Sequence, residues 1–142
     1  MRALPVGYWG IRSYENDDAH DALDSGFAGA HPSRYEELMD DGNPMTFEQV
    51  QQELASEATL QAALSWLETT FGPNSATWED EARLAFVGVV VRHAELRVPI
   101  EASILRRAIS WLESEDLDWD DETKRKLRRS QELALLQKRI SA

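Results

Sequence analysis

The residues best equipped for chemistry lie close together near the start of the chain, in Tyr14-Glu-Asn-Asp-Asp-Ala-His-Asp-Ala-Leu-Asp24. Four aspartates, one glutamate and one histidine fall between Glu15 and Asp24. With Asn16 as a helix cap and about 100° per residue, Asp17, His20, Asp21 and Asp24 share one face, and Ala19, Ala22 and Leu23 share the other. Three carboxylates and an imidazole on one side are ligands that a divalent cation accepts. A metal-dependent, hydrolase-like site around one or two cations, with Glu15 in reach, would follow from that geometry. The same spacing also describes an ordinary amphipathic helix with its polar face in water. Capping and the helix dipole account further for Asn16, Asp17 and Asp18. A single helix supplies no ligand from a second element, and the spacing matches neither a calcium loop nor a zinc-protease helix. The reading adopted is a capped, solvated helix, with Asp17, His20, Asp21 and Asp24 kept as the candidate metal set.

Other chemistry is sparse. The chain has no cysteine, which excludes thiolate metal sites, cysteine nucleophiles and disulfides. No Gly-x-Ser-x-Gly elbow and no glycine-rich phosphate loop occurs. His93 falls in the most apolar segment and reads as a hydrogen-bonded core histidine. His31 precedes a proline and has no evident partner. Trp66, Trp78, Trp111 and Trp119 read as core and junction packing. Lys124-Arg-Lys-Leu-Arg-Arg129 directly follows an acidic run, so local neutralisation, with pairs such as Asp121 and Arg125, is expected.

The elements that must position these groups are helical. The spacing predicts a helix over Asn16–Asp24 stopped by Ser25-Gly26, and a short one from Pro32 to Met39. Thr46-Phe-Glu-Gln49 is a capping-box pattern that starts a helix carrying Phe47, Val50 and Leu54. A further stretch carries Leu60, Leu64, Leu67 and Phe71 and closes at Gly72-Pro73. Thr77 or Trp78 should begin the most buried helix, through Leu84 to Val91, for which a strand is the alternative because of its β-branched run. Pro99 opens a helix with Ile100, Ile104, Leu105, Ala108, Ile109 and Leu112 on one stripe, and a last helix runs from about Asp121 to Ile140. Ala63-Leu-Ser-Trp-Leu-Glu68 is echoed by Ala108-Ile-Ser-Trp-Leu-Glu113, each followed by a tryptophan and three acids, which suggests tryptophans sealing two helix junctions.

Trp9-Gly10, then Tyr14-Glu-Asn-Asp-Asp-Ala19 and Asp21, resembles the opening signature of a bacterial family known only as a domain of unknown function: Gly-x-Trp-Gly, a few residues, then aromatic-Asp/Glu-Asn-Asp-Asp-Ala-x-Asp. The match spans Gly7 to Asp21, and Arg2 to Val6 stand where members usually have none. The resemblance implies a small, mostly helical, cytosolic bacterial protein and brings no established activity. It singles out Trp9, Asn16 and Asp18, with Asp17 and Asp21, as acting jointly. Trp9 is expected to pack under the first helix while Asn16 and an aspartate tie down the segment before it, and a binding site is the alternative.

Charge sorts the function classes. Residues 1–80 hold fifteen acids and three bases, and residues 81–142 hold eleven acids and twelve bases, so the total of −11 arises as −12 and +1. Such a surface repels nucleic acid and suits a basic protein partner. The longest apolar run, Leu84 to Val91, is too short to span a bilayer. The expectation is an all-α, single-domain bundle of five to six helices over residues 1–142: an irregular segment (1–15), short helices and loops (16–45) and a helical core (46–142). It is read as cytoplasmic, without a cofactor, and as a non-catalytic interaction module of the inhibitor or immunity-protein kind. A metal-dependent hydrolase and an oligomerising structural subunit are the alternatives.

Overall fold

Several helix starts carry a local solution for the free amides of the first turn. In the computed structural model, which describes residues 2–3, 8–40 and 42–141, Asn16 caps α1 (Asp17–Ala30) by accepting the Ala19 N–H. Gly7, part of the signature above, and Asp41 lie outside the described residues. Thr46 with Gln49 forms the expected capping box on α3 (Phe47–Leu54), and Ser56 with Thr59 forms a second on α4 (Glu57–Phe71). The short α2 (Pro32–Leu38) begins with proline in its first turn. A 3₁₀ turn (Ser75–Thr77) leads to α5 (Asp80–Glu95), followed by α6 (Ala102–Glu113) and α7 (Glu122–Ser141). The protein is all-α among the described residues, with seven α-helices where five to six were expected; the extra division falls at Ala55-Ser56. A two-residue parallel pairing of β1 (Arg2–Ala3) with β2 (Leu117–Asp118) is the sole strand pair described.

The Leu84–Val91 segment is helical, and all eight residues are buried. Burial of an apolar side chain is worth roughly 1.5–3 kcal/mol, so this run makes α5 the axis of the core. Helices α1, α4, α6 and α7 all pack on it, and α1 also lies along α4. The junction tryptophans behave as their repeated context suggests. Trp78 is buried between α4 and α5 and donates its indole N–H to the Gly72 carbonyl, while Trp119 is buried before α7 and donates to Glu115. His31 does have a partner, the Leu54 carbonyl at 3.0 Å.

Three expected boundaries move. The α6 helix starts at Ala102, after Pro99, and α5 starts at Asp80, after Trp78. The larger correction is Gly26, which does not stop α1 but lies inside it, buried. A Cβ there would come within 2.8 Å of the Ala63 N and the Thr59 carbonyl oxygen of α4. Gly26 is therefore a contact residue that lets two helix backbones approach. Gly88 plays the same part on α5, where a Cβ would lie 2.4 Å from the Ser13 carbonyl oxygen. The N-terminal segment can lie flat on the central helix for that reason.

His93 is fully buried, stacked on Phe27 and bonded to the Val89 carbonyl and the Thr59 hydroxyl. Burial lowers its pKa to about 4, and the nearby Arg92 charge acts in the same direction. The folded state holds the neutral ring, so this contribution is complete above the unfolded value near 6.5 and is lost as pH falls toward 4. Urea titrations at successive pH values should record a loss of roughly 3 kcal/mol from this residue across that window, and His93→Gln should flatten the same stretch of the curve. The helical glycines give a sign test. Gly29→Ala, whose Cβ would have its nearest neighbour at 3.8 Å, should gain up to about 1 kcal/mol from helix propensity. Gly26→Ala should lose about 1–3 kcal/mol because α1 and α4 must separate.

Candidate functional site

A tight loop from Tyr8 to Asn16 leads into α1 and shapes a chemically varied cleft. Tyr8 and Asn16 pair as an antiparallel bridge, Trp9 N–H bonds the Glu15 carbonyl at 3.1 Å, and Arg12 N–H bonds the Glu15 carboxylate at 3.0 Å. Asn16 is 1% exposed and both ends of its amide are used: the oxygen caps Ala19, and the nitrogen donates to the Ser13 carbonyl at 2.7 Å. The loop is thus tied to the helix it precedes.

A longer-range tie holds the loop to α7. Glu132 is 1% exposed and accepts from the Ser13 N–H and the Ser13 hydroxyl. Arg125, also 1% exposed, donates to Glu132, to the Ile11 carbonyl at 2.7 Å and to the Ser13 hydroxyl at 3.0 Å, and it pairs with Glu115. Its guanidinium lies 4.3 Å from the Trp119 ring centre. The pairing continues in both directions as one alternating chain: Arg92, Glu95, Arg128, Glu132, Arg125, Glu115, Arg129. Its shortest contact is between Arg125 and Glu115, and the others include 2.9 Å between Arg128 and Glu95 and 3.7 Å between Arg129 and Glu115. Hydrogen bonds from Arg128 and Tyr14 hold Glu95 below the usual carboxylate range against the opposing effect of its burial. Tyr14 is pushed up to about 12 by burial and by the adjacent Glu95 charge.

Sequence reasoning missed this chain. The Lys124–Arg129 cluster is neutralised in part by the preceding acidic run, as expected, with Lys124 on Asp121 and both Arg125 and Arg129 on Glu115. The expected Asp121–Arg125 ion pair is not found among the described residues, and Arg125 also turns inward to Glu132 and the N-terminal loop. The available signal was the spacing Arg125, Arg128, Glu132, which puts three charges on one helical face beside Leu136.

Arg92 carries the chain into the cleft. The space, about 330 Å³, is bounded by the loop, α1, α3 and α5 and is lined by Trp9, Arg12, Tyr14, His20, Phe47 and Arg92, among others. His20 stands edge-on to Trp9 at 6.1 Å and to Phe47 at 5.0 Å. Arg92 donates to Gln51 Oε1 at 2.6 Å and lies over the Tyr14 ring.

The predicted site residues separate. His20 and Trp9 come together in the cleft. Trp9 is 54% exposed, so it is a rim residue rather than packing beneath α1. Asp17 and Asp21 are exposed on α1, and Asp24 accepts a hydrogen bond from the Tyr35 hydroxyl on α2, which with burial keeps that phenol protonated. Asp18 is half-buried and raised above the usual carboxylate range by burial and by the charges of Asp21, Asp17 and Glu81. Among the described residues no three histidine, aspartate or glutamate side chains are placed to hold a metal ion. The candidate set Asp17, His20, Asp21 and Asp24 shares a helical face without converging on a point. Asn16 serves as a cap and does not line the cleft.

Comparison with family models, curated proteins and solved structures finds no match to this chain. Glu132→Gln replaces an acceptor by a donor facing Ser13 and Arg128. It should cost about 3–5 kcal/mol in urea unfolding, and amide exchange at Ser13 to Glu15 should accelerate ahead of the core.

Proposed function

We propose that the protein is a non-catalytic interaction module that receives a basic protein partner on the acidic face built from α1 and α2. The observation behind this reading is how the two kinds of charge are used. The arginines of the second half are largely spent internally: Arg92, Arg125, Arg128 and Arg129 in the ion-pair chain, Arg83 and Arg107 against Trp111, and Arg139 on the carbonyls of Ala94 and Val98. Acids of the first half stay outside. Asp17, Asp21 and Glu36 are exposed, with no base in ion-pair range among the described residues. The first half's balance of −12 therefore reaches the surface of α1 and α2 largely unpaired, and such a field speeds association with a cationic partner.

No helix among the described residues is long and apolar enough to cross a membrane. The geometry lends no support to a metal-dependent hydrolase, because the candidate ligands do not gather. The resemblance of Trp9 to Asp21 to the opening of a bacterial family of unknown function is consistent with a cytosolic setting. Its asparagine acts in this chain as a cap, and its tryptophan is left free for contact.

Binding of a lysine-rich probe peptide, followed by stopped-flow fluorescence, tests the reading. Association should slow steeply with added salt. Asp17→Lys, Asp21→Lys and Glu36→Lys together should slow it by about tenfold or more, whereas the same number of reversals at Glu113, Asp116 and Asp118 should change it by less than about threefold. Equal effects of the two sets would reduce the finding to net charge and end the proposal of a defined face.

A further inference from the structure

The cleft beside Trp9 is unlike the acidic exterior around it, and its floor is built from donors. Gln51 is 3% exposed, and its Oε1 accepts from Arg92. Its side-chain NH₂ group has no protein partner among the described residues and is not enclosed in the core, and the residue lines the cleft. An acceptor entering the cleft exchanges water for a direct hydrogen bond to this donor, a net gain of about 0.5–1.5 kcal/mol. Arg92 is the second donor. Its Nε serves Gln51 and its Nη1 serves Glu95, which leaves Nη2 without a protein partner among the described residues.

Charge points the same way. The ion-pair chain contains four guanidinium groups against three carboxylates, so one positive charge is uncompensated. The chain ends at Arg129, which reaches solvent, and at Arg92, which reaches the cleft. Above this floor the walls are aromatic: Trp9, His20 and Phe47 in an edge-to-face row. An exposed tryptophan beside two further rings offers a flat apolar surface, and edge-to-face packing of rings adds about 0.5–1.5 kcal/mol to what burial alone gives.

We propose that this cleft binds a small aromatic monocarboxylate, its ring against Trp9, His20 and Phe47 and its carboxylate on Arg92 Nη2 and the Gln51 amide. A carboxylate matches the fork of donors that a guanidinium and an amide present together. A dianion is disfavoured, because Glu15 and Glu48 also line the cleft and Arg12 neutralises only Glu15. The volume of about 330 Å³ lies at the small end for ligand sites and fits one ring with a short acid chain. The inference stands apart from the proposed partner face on α1 and α2, and either can fail alone.

The test is calorimetric titration of the full chain with 3-phenylpropionate, 3-phenylpropionamide and phenyl phosphate, with ¹H–¹⁵N spectra recorded in parallel. Phenylpropionate should bind saturably, with Kd on the order of 1 mM for an eleven-atom ligand of ordinary efficiency, and should shift the Trp9 indole and Gln51 amide signals. The neutral amide and the dianion should each bind about tenfold or more weakly, and Gln51→Leu should weaken phenylpropionate to the same degree. Trp9→Ala, at an exposed position, should weaken it without changing thermal unfolding. An acetylated tripeptide ending in phenylalanine presents the same ring and carboxylate. If it binds more tightly than phenylpropionate, the small-molecule assignment is overturned in favour of a polypeptide C-terminus. Equal binding of acid and amide, shifts confined to other surfaces, or no saturable binding overturns the proposal altogether.

Discussion

The Glu132 carboxylate is the point on which the rest of the structure turns. It lies in the interior on α7 and accepts from Ser13 of the N-terminal loop, Arg125 of the preceding turns and Arg128 one turn back. Two charges removed from water gain little net stability over apolar residues of the same shape, because desolvation consumes most of the attraction. The value of this arrangement is positional. Ser13 is 119 residues from Glu132 in the chain, and no apolar contact would fix the loop backbone with comparable directionality. With Ser13 and Ile11 held, Asn16 meets both the Ser13 carbonyl and the first turn of α1. The rim of the cleft, from Trp9 to Arg12, is then set.

A second constraint is steric and makes the first one possible. The loop reaches Glu132 only because it can lie against α5 at Gly88, where any side chain would strike the Ser13 backbone. Gly26 with Ala63 does the same between α1 and α4. In both places a residue that weakens its own helix by about 1 kcal/mol is retained, since close approach brings more apolar surface into contact than the propensity loss removes. The polar tie and the glycine contacts therefore belong together: one supplies direction and the other supplies room.

This division explains what was readable in the sequence. The caps at Asn16 and Thr46 rest on residues three or four apart, and the apolar stripes repeat within one helix, so the helices and the central burial of Leu84–Val91 follow from local pattern. Gly26 was misread as a stop because the same residue type ends helices and opens contacts, and the choice depends on Ala63, 37 residues on. Arg125 was given only a local partner, Asp121, because Ile11 and Ser13 are over a hundred residues away. Of the candidate site, His20 and Trp9 were identified from residue type and signature. Gln51, Phe47 and Arg92 were not, since a glutamine and a phenylalanine on α3 and an arginine on α5 become a site only when the loop folds over them.

Charge usage connects the fold to the two faces it presents. Drawing Arg125 and Arg128 of α7 inward stabilises the loop and leaves the acids of α1 and α2 without those arginines as surface counter-charges. An alternating chain that begins and ends on arginine cannot be neutral, and the extra positive charge has to emerge somewhere. At Arg129 water screens it. At Arg92 it meets a half-enclosed space walled by aromatic rings, where the lower effective dielectric makes a single guanidinium a stronger attractor than the same group on the open surface. In a protein with a net charge of −11 this cleft thus sets Arg92 and Arg12 against only Glu15 and Glu48, which leaves room for a monoanion beside Arg92. That place is next to the segment whose position depends on the buried carboxylate, so a ligand held there and the Ser13–Glu132 tie would stabilise the same loop conformation.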